Sequence, residues 1–273
     1  MMLEKSEALS SYMTRLLSTG RVVFSREEAR TALGIKVLCW TRQVASSKHL
    51  LVSPRSGFYV IIPPQYLSWG APPPAWYIDD LMRHEGRPYY VGLLKAAELH
   101  GATHQAVMEF QIITDKRLPK IRAGRSAIAF YYRKDMPAVS GAIEDRKTDT
   151  GSVKISSIEL TMLDLVRYPR AAGGLDNIAT IISDLGEHID PGKLANLSAA
   201  FERSVIQRLG YLLKSAGYAD RVQALHDAMP KTPPLPWIEL ERSQAADPDL
   251  SPKPKERNER WHVIVRREPE RDE

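Results

Sequence analysis

Apolar residues near the start of the chain follow a helical period and then an extended one. Between Ser6 and Ser18 they recur three and four positions apart, which predicts an amphipathic helix that ends at Gly20. Ser25 to Glu28 has the form of a capping box, so a second helix is predicted from Arg26 to about Gly34. A third helical segment is predicted over residues 35–48.

Extended patterns flank these helices. Residues 22–24 predict a short edge strand, whereas residues 49–53 and 58–62 predict two strands joined by a turn at 54–57. The helices predicted at 26–34 and 35–48 form a pair that is followed by a β-hairpin. This is the arrangement of a winged helix-turn-helix, and we predict this fold for residues 1–62. In such a fold the second helix of the pair enters the DNA major groove.

Prolines mark the end of this winged helix. Two prolines at 63–64 and three at 72–74 exclude a helix and stiffen the connection, so a domain boundary is predicted there. The domain beyond it, residues 63–237, is predicted to be mixed. Its α/β part covers about residues 75–155, and its helical part covers about residues 156–230.

In the second domain, apolar residues follow helical spacing in some segments and extended spacing in others. Helical patterns span 76–84 and 91–100, and extended patterns span 107–114, 126–132 and 153–155. The helical part is predicted to begin at another capping box, with Ser156 as the N-cap and Glu159 three residues later. The predicted fold class is therefore α+β, with an N-terminal winged helix joined to a larger mixed α/β and helical domain.

The last segment, residues 238–273, is predicted to be a flexible tail. Residues 244–259 are polar, charged and poor in side chains that fill a core. Trp261 to Val265 alternates large apolar and polar residues, so the tail either returns as a short added strand or stays free.

Charge is distributed unevenly over these segments. The 273 residues carry a net charge of +5, and all of the excess lies in the first sixty residues, where nine Lys/Arg face four Asp/Glu. Because the same segment carries the winged-helix pattern, we predict that it binds DNA. The alternative is a protein-docking winged helix whose arginines are merely solvated.

The side chains predicted to contact DNA lie in the second helix of the pair, at the start of the helix before it, and in the wing. Arginine and glutamine can bond to base edges, and an arginine at the wing tip can meet phosphate or the minor groove. The predicted DNA-binding residues are Arg26, Lys36, Trp40, Thr41, Arg42, Gln43, Ser46, Lys48 and Arg55.

Composition and motifs argue against several other classes. The hydrophobic and charged fractions, 43% and 26%, are ordinary for a globular protein, and no apolar run is long enough to span a membrane. The single cysteine, Cys39, has no partner for a disulfide or a zinc site. The chain has no phosphate-binding glycine loop, HExxH motif or nucleophile elbow. We therefore expect a cytoplasmic protein that is not an enzyme and needs no metal or cofactor.

A second group of basic residues follows the strand predicted at 107–114. It is a candidate surface for nucleic acid or an acidic protein, although a solvated loop in a neutral domain explains it more simply. The group comprises Lys116, Arg117, Lys120, Arg122 and Arg125. Glu109 and Asp115 resemble a nuclease carboxylate pattern, so a defence-associated nuclease or RNA-modifying enzyme is the alternative function. A plain strand flanked by charges is the simpler interpretation of these two carboxylates.

Three blocks of sequence resemble AbiEi-type antitoxins of type IV toxin–antitoxin systems, and the resemblance covers nearly the whole chain. The blocks are residues 23–29 with the wing residues 57–59, residues 89–101 and residues 156–169. Such antitoxins pair an N-terminal winged helix with a larger antitoxin domain. The resemblance implies repression of the protein's own operon through inverted-repeat half-sites. It also implies protection, direct or indirect, from a neighbouring nucleotidyltransferase-like toxin in phage defence. Residues 89–101 are expected to form a helix that packs in the core.

Overall fold

The computed structural model describes residues 2–34, 37–102, 107–230, 234–241 and 253–271, without the side chains of residues 2–8, 37–39, 42 and 43. The fold class is α+β, as predicted. The chain divides into two compact units. Unit 1 comprises Met1–Val91, Met108–Lys134 and Asp145–Ile155, and unit 2 comprises Gly92–Val107, Asp135–Glu144 and Ser156–Glu273. The boundary expected after residue 62 thus falls within unit 1.

Unit 1 begins with the winged helix that the sequence predicts. Its elements are α1 (Met2–Ser18), β1 (Val23–Ser25), α2 (Arg26–Leu33), α3 (Val37–Ser46), β2 (Leu51–Arg55) and β3 (Phe58–Ile61). The strands form an antiparallel sheet in the order β1-β3-β2. Val60 in the central strand pairs with Val23 on one side and with Val52 on the other.

The start of α2 is fixed by the predicted capping box. Ser25 Oγ accepts a 3.0 Å hydrogen bond from the Glu28 amide, and the Glu28 carboxylate accepts one of 3.4 Å from the Ser25 amide. Gly34 ends the helix in the left-handed conformation, with φ = 61°, which glycine adopts without steric cost. Local signals therefore set both ends of α2.

An aromatic cluster fills the core of the winged helix. Phe24 stacks on Tyr59 with ring centroids 5.4 Å apart, and Tyr12 meets Phe24 edge-on at 5.7 Å. Burial of the Tyr12 ring raises the pKa of its hydroxyl above the ordinary value. The other buried members of this core are Leu9, Met13, Leu16, Ala29, Trp40, Leu51 and Ile61.

The rest of unit 1 is built on a six-stranded mixed sheet, in the order β6-β7-β5-β4-β9-β8. The pairs β5–β7 and β4–β9 are parallel, whereas β4–β5 and β6–β7 are antiparallel. The elements are α4 (Ile78–His84), β4 (Tyr89–Val91), β5 (Glu109–Thr114), β6 (Ile121–Ala123), β7 (Ser126–Tyr132), β8 (Ile143–Thr148) and β9 (Gly151–Ser156).

The prediction of one helix over residues 89–101 is wrong in its first part. Tyr89–Val91 is the strand β4, which pairs with residues 112–114 of β5, and only Leu93–Leu99 forms a helix, α5. All three residues of β4 are buried, so they show no polar alternation to distinguish them from a buried helix. The remaining expectation, that this segment packs in a core, is correct for Leu93, Ala96 and Ala97.

Unit 2 is mainly helical. Helix α6 is buried on all sides from Glu159 to Val166 and contacts α5, α7, α8 and α9, so it is the central element of the unit. The helices after α5 are α6 (Ile158–Arg167), α7 (Leu175–Leu185), α8 (Pro191–Ser198), α9 (Arg203–Ser215) and α10 (Gln223–Ala228).

The capping box predicted for α6 is displaced by one residue. Ser157, and not Ser156, is the N-cap, and its Oγ accepts a 3.4 Å hydrogen bond from the Leu160 amide. Glu159 links the cap to the start of α8, because its carboxylate accepts a 2.8 Å hydrogen bond from the Ser157 hydroxyl and one of 2.9 Å from the Asp190 amide. Ser156 is instead the last residue of β9, and its hydroxyl lies 2.7 Å from that of Thr161, so the cap falls on the following serine.

The C-terminal segment forms a small sheet in the order β10-β12-β11. Its strands are β10 (Ile238–Glu239), β11 (Glu256–Asn258) and β12 (Val263–Val265). A returning strand is therefore present, as one of the two predicted options. Strand β11, however, lies in the segment predicted to be flexible, and residues 242–252 of that segment lie outside the described residues.

Helix α9 holds this C-terminal sheet through buried polar side chains. The Gln207 amide donates a 3.0 Å hydrogen bond to the Trp261 carbonyl, and Arg208 donates one of 2.8 Å to the Glu239 carbonyl. The Trp261 indole is fully buried against Gly210, where a Cβ atom would lie 2.3 Å from the ring. The absence of a side chain at Gly210 thus makes room for Trp261.

Candidate nucleic-acid interface

Helix α3 is anchored to the wing sheet through Trp40. Its indole N–H donates a 3.1 Å hydrogen bond to the Tyr59 hydroxyl, and the two rings meet edge-on at 5.4 Å. Trp40 is only 5% exposed, because it lies one turn before Val44 on the side of the helix that faces the core. Trp40 is therefore a core residue that positions α3, which corrects its prediction as a groove-facing side chain.

The other predicted DNA-binding residues of this region fall into two groups. The side chains of Arg42 and Gln43, and all of Lys36, lie outside the described residues, so their roles stay predictions. The residues whose exposure the structure describes are all accessible to a ligand, namely Thr41, Ser46 and Lys48.

Arg26 opens α2 beside the turn of the wing. Its side chain is exposed, and its backbone N–H donates a 2.8 Å hydrogen bond to the carbonyl of Gly57. Gly57 has φ = 78° and allows the tight turn between β2 and β3. The start of α2 and the wing are thus held together by the backbone.

Arg21 of the winged helix forms an ion pair that the sequence analysis did not predict. Arg21 donates hydrogen bonds of 2.7 and 3.1 Å to the two carboxylate oxygens of Glu28. This contact lowers the pKa of the Glu28 carboxyl and raises the pKa of the Arg21 guanidinium. The pair joins residues seven positions apart across β1, so neither helical nor strand spacing signals it.

The wing arginine, Arg55, is engaged within unit 1. Its Nε lies 3.1 Å from Glu85 Oε1, and its Nη2 donates a 3.0 Å hydrogen bond to the Pro119 carbonyl. The guanidinium also lies 5.7 Å from the centre of the Phe130 ring. The sequence predicts a wing tip that faces DNA, whereas the structure leaves only 19% of this side chain exposed.

The five basic residues predicted as a second surface are all exposed, but they are distributed along β7. The Arg117 guanidinium lies 5.4 Å from the ring centre of Tyr132, the last residue of β7. The guanidinium of Arg125, which directly precedes β7, lies 5.5 Å from the ring centre of Trp69. A strand of this length spans about 20 Å. The group therefore forms two sites and not one cluster.

The site at the start of β7 combines positive charge with exposed apolar surface. Leu67 and Trp69 are 48% and 53% exposed, and Gly124 allows the chain beside Trp69 to pack closely, since a Cβ there would lie 2.2 Å from the Trp69 carbonyl oxygen. The sequence analysis identified the basic residues here but missed Leu67 and Trp69, because it treated residues 63–74 as a connection. The tryptophan within that connection was the available signal. We call this site the hairpin patch and define it as Leu67, Trp69, Lys120, Arg122 and Arg125.

The carboxylates that resembled a nuclease pattern do not form one site. Glu109 begins β5 and Asp115 follows its last residue, so the strand separates them by about 20 Å. They pair with different cations, Glu109 with Lys120 and Asp115 with Arg87. Across the described ranges, no three His, Cys, Asp or Glu side chains are grouped so as to hold a metal ion. The described helices also include none that is long and apolar enough to cross a membrane.

Comparison with known families identifies the central part of the chain. Residues 90–215 match the family model for the AbiEi antitoxin C-terminal domain. This segment is an AbiEi antitoxin domain. It begins in β4, ends with α9 and contains all five basic residues of the predicted second surface. The match supports an antitoxin role, which in general implies a toxin partner.

A solved structure shares the fold along most of the chain. The crystal structure of the RV2827C protein from Mycobacterium tuberculosis matches with a TM-score of 0.70 and covers 95% of this chain and 91% of that one. The sequences are 18% identical, so the likeness concerns the fold alone. It supports the α+β class with an N-terminal winged helix ahead of the AbiEi domain. No curated protein matches the sequence.

Proposed function

We propose that this chain is the antitoxin and transcriptional autorepressor of a type IV toxin–antitoxin operon. The observation that carries the proposal is the AbiEi domain at residues 90–215, preceded by a winged helix. In this proposal the winged helix binds operator DNA, and the AbiEi domain counteracts a nucleotidyltransferase-like toxin. The chain acts as a regulator and not as an enzyme. It acts in the cytoplasm, where its operator DNA lies.

Operator binding is supported by charge and by the construction of α3. The net charge of +5 in the first sixty residues favours phosphate. Trp40 holds one side of α3 against the wing sheet, while Thr41 and Lys48 are exposed. A helix fixed in this way can present its polar side chains to a groove with little loss of conformational entropy on binding.

A toxin contact is proposed for the hairpin patch. Tryptophan and arginine are enriched among the residues that dominate protein interfaces, and here Arg125 lies over an exposed tryptophan. Arg122 adds positive charge nearby, which suits an acidic partner surface.

Two measurements on the full chain test this function. The first is titration of the DNA upstream of its own gene against a scrambled duplex of equal length, at two salt concentrations. We expect a preference of at least about a thousandfold for the upstream DNA. The second is growth rescue when the chain is co-expressed with the product of the neighbouring gene.

The two measurements separate the two halves of the proposal. Equal affinity for both duplexes contradicts autorepression but leaves the antitoxin role intact. Growth arrest that persists despite folded, expressed protein contradicts neutralisation of that toxin.

A further inference from the structure

The wing of the winged helix is held by the last turn of α4. The Arg55 guanidinium is shared between the Glu85 carboxylate, at 3.1 Å, and the Pro119 carbonyl, at 3.0 Å. Both side chains of the ion pair are largely buried, with 19% and 21% exposed. A charge-assisted hydrogen bond in such surroundings is stronger than one at an open surface.

A second set of contacts joins the same two elements. His84 Nε2 donates a 3.2 Å hydrogen bond to the Ser56 carbonyl in the wing turn. The His84 ring also lies 5.4 Å from the ring of Phe58, which opens β3. The wing turn is therefore fixed to α4 on both sides of Gly57.

The position of the wing is transmitted to the helix pair by two hydrogen bonds. The Arg26 amide at the start of α2 binds the Gly57 carbonyl at 2.8 Å. The Trp40 indole of α3 binds the Tyr59 hydroxyl of β3 at 3.1 Å. A shift of the wing against α4 would thus move the groups that α2 and α3 present to a groove.

We infer that Arg55 is a positioning residue: it locks the wing onto α4 through Glu85 and so sets the docking geometry of α2 and α3, without contacting a DNA phosphate. This inference rests on the proposed operator binding. It assigns Glu85, an acidic residue, a favourable role in binding a polyanion. Electrostatics alone predicts that Glu85 weakens DNA binding, because a carboxylate near DNA repels phosphate.

The test is operator affinity of the full chain with Glu85→Ala, with Asp80→Ala as the matched control. Both changes remove one carboxylate from α4 or its C-cap residue, but Asp80 pairs with Arg83 at 2.7 Å, whereas Glu85 pairs with Arg55 of the wing. We expect Glu85→Ala to weaken operator binding about threefold to tenfold. Asp80→Ala should leave it unchanged or slightly strengthen it. Tighter binding by Glu85→Ala would mean that Arg55, once released, contacts phosphate, and would overturn the inference.

A charge swap and the salt dependence provide second readouts. In the Arg55→Glu, Glu85→Arg double variant, a positioning pair recovers part of the affinity lost in Arg55→Glu alone, because the ion pair is restored with reversed polarity. A phosphate contact instead gives no recovery, since position 55 then repels DNA. Arg55→Ala should leave the slope of log affinity against log salt unchanged, whereas loss of a phosphate contact lowers it by about one unit.

Failure of the inference and failure of the proposed function give different results. If wild-type protein shows no preference for the operator, both are overturned. If it shows the preference but Glu85→Ala binds more tightly, only the positioning role of Arg55 is overturned. Circular dichroism and thermal unfolding of each variant establish that the winged helix is folded.

Discussion

Arg42 is the residue whose substitution most directly tests sequence reading by α3. It is predicted to contact a base, and a good base contact is worth about 1–3 kcal/mol of discrimination. Arg42→Ala should therefore weaken binding to the operator by about tenfold or more while leaving nonspecific affinity nearly unchanged. Titration of operator and scrambled duplexes measures both quantities.

The matched control for Arg42 is Arg15→Ala, which removes the same charge from an exposed position on α1. Equal losses on both duplexes would identify Arg42 as a phosphate contact and would leave base recognition to other residues of α3.

Gly210 provides a residue-level test of how the C-terminal sheet is held. A glycine-to-alanine change in a helix ordinarily stabilises it by up to about 1 kcal/mol. Here the added Cβ would lie 2.3 Å from the Trp261 ring, so the indole must move. We expect Gly210→Ala to destabilise the protein by about 1–3 kcal/mol, as overpacking does. Chemical denaturation measures the change.

Gly141→Ala is the control for this change, because beyond the two adjacent residues no described atom lies within 4 Å of the added methyl group. A stabilised Gly210→Ala variant would show that Trp261 is not packed on α9 in solution.

At the level of elements, strand β7 separates two basic sites that differ in their surroundings. If the hairpin patch binds the toxin, Arg122→Glu combined with Arg125→Glu should abolish growth rescue. Lys120 is left unchanged because it pairs with Glu109. Operator affinity should stay within about twofold, since surface changes away from caps and cores perturb the fold little.

The matched control reverses Lys116 and Arg117 near the other end of β7, with the same change in charge. Full rescue by the folded hairpin-patch variant would return Arg122 and Arg125 to the role of solvated surface charges. Loss of rescue in both variants would indicate a general effect of charge and not a defined contact.

For the molecule as a whole, the C-terminal segment of unit 2 should loosen in acid. Arg267 donates a 2.6 Å hydrogen bond to Asp176 and thereby lowers the pKa of that carboxyl below its ordinary value of 3.8. A lowered folded-state pKa means that the stabilisation is complete above pH 3.8 and is lost as the pH falls through the folded-state value. Because the pair is partly exposed, its contribution is at most about 1 kcal/mol.

Hydrogen exchange of residues 263–271 between pH 5 and pH 2.5 measures this loosening, and Asp176→Asn provides the comparison. The variant should exchange faster than wild type at pH 5 and equally fast at the acid end. Equal exchange at every pH would show that this ion pair does not hold the C-terminal segment.

The sequence by itself determined the elements whose signals are local. Ser25, Glu28 and Gly34 fix α2 because a capping box and a left-handed glycine act within a few residues. Strand β7 has the predicted bounds, 126–132, and residues 90–215 match the AbiEi family that the sequence blocks resembled. Charge counting also located the basic segment, because a sum over residues needs no structure.

Only the tertiary structure decided which side chains are exposed and able to contact a partner. Trp40 was predicted to face a groove, but the buried hydroxyl of Tyr59, nineteen residues away, accepts its indole hydrogen bond and sets its direction. Arg55 pairs with a carboxylate at the C-cap of α4 and Lys120 with one in β5, and five basic residues that are close in sequence are separated along β7. Tyr89–Val91 is a strand because it pairs with β5 and β9. Those partners lie far along the chain, so the local pattern did not reveal the pairing. Partner choice depends on distance in space, which spacing along the chain does not encode.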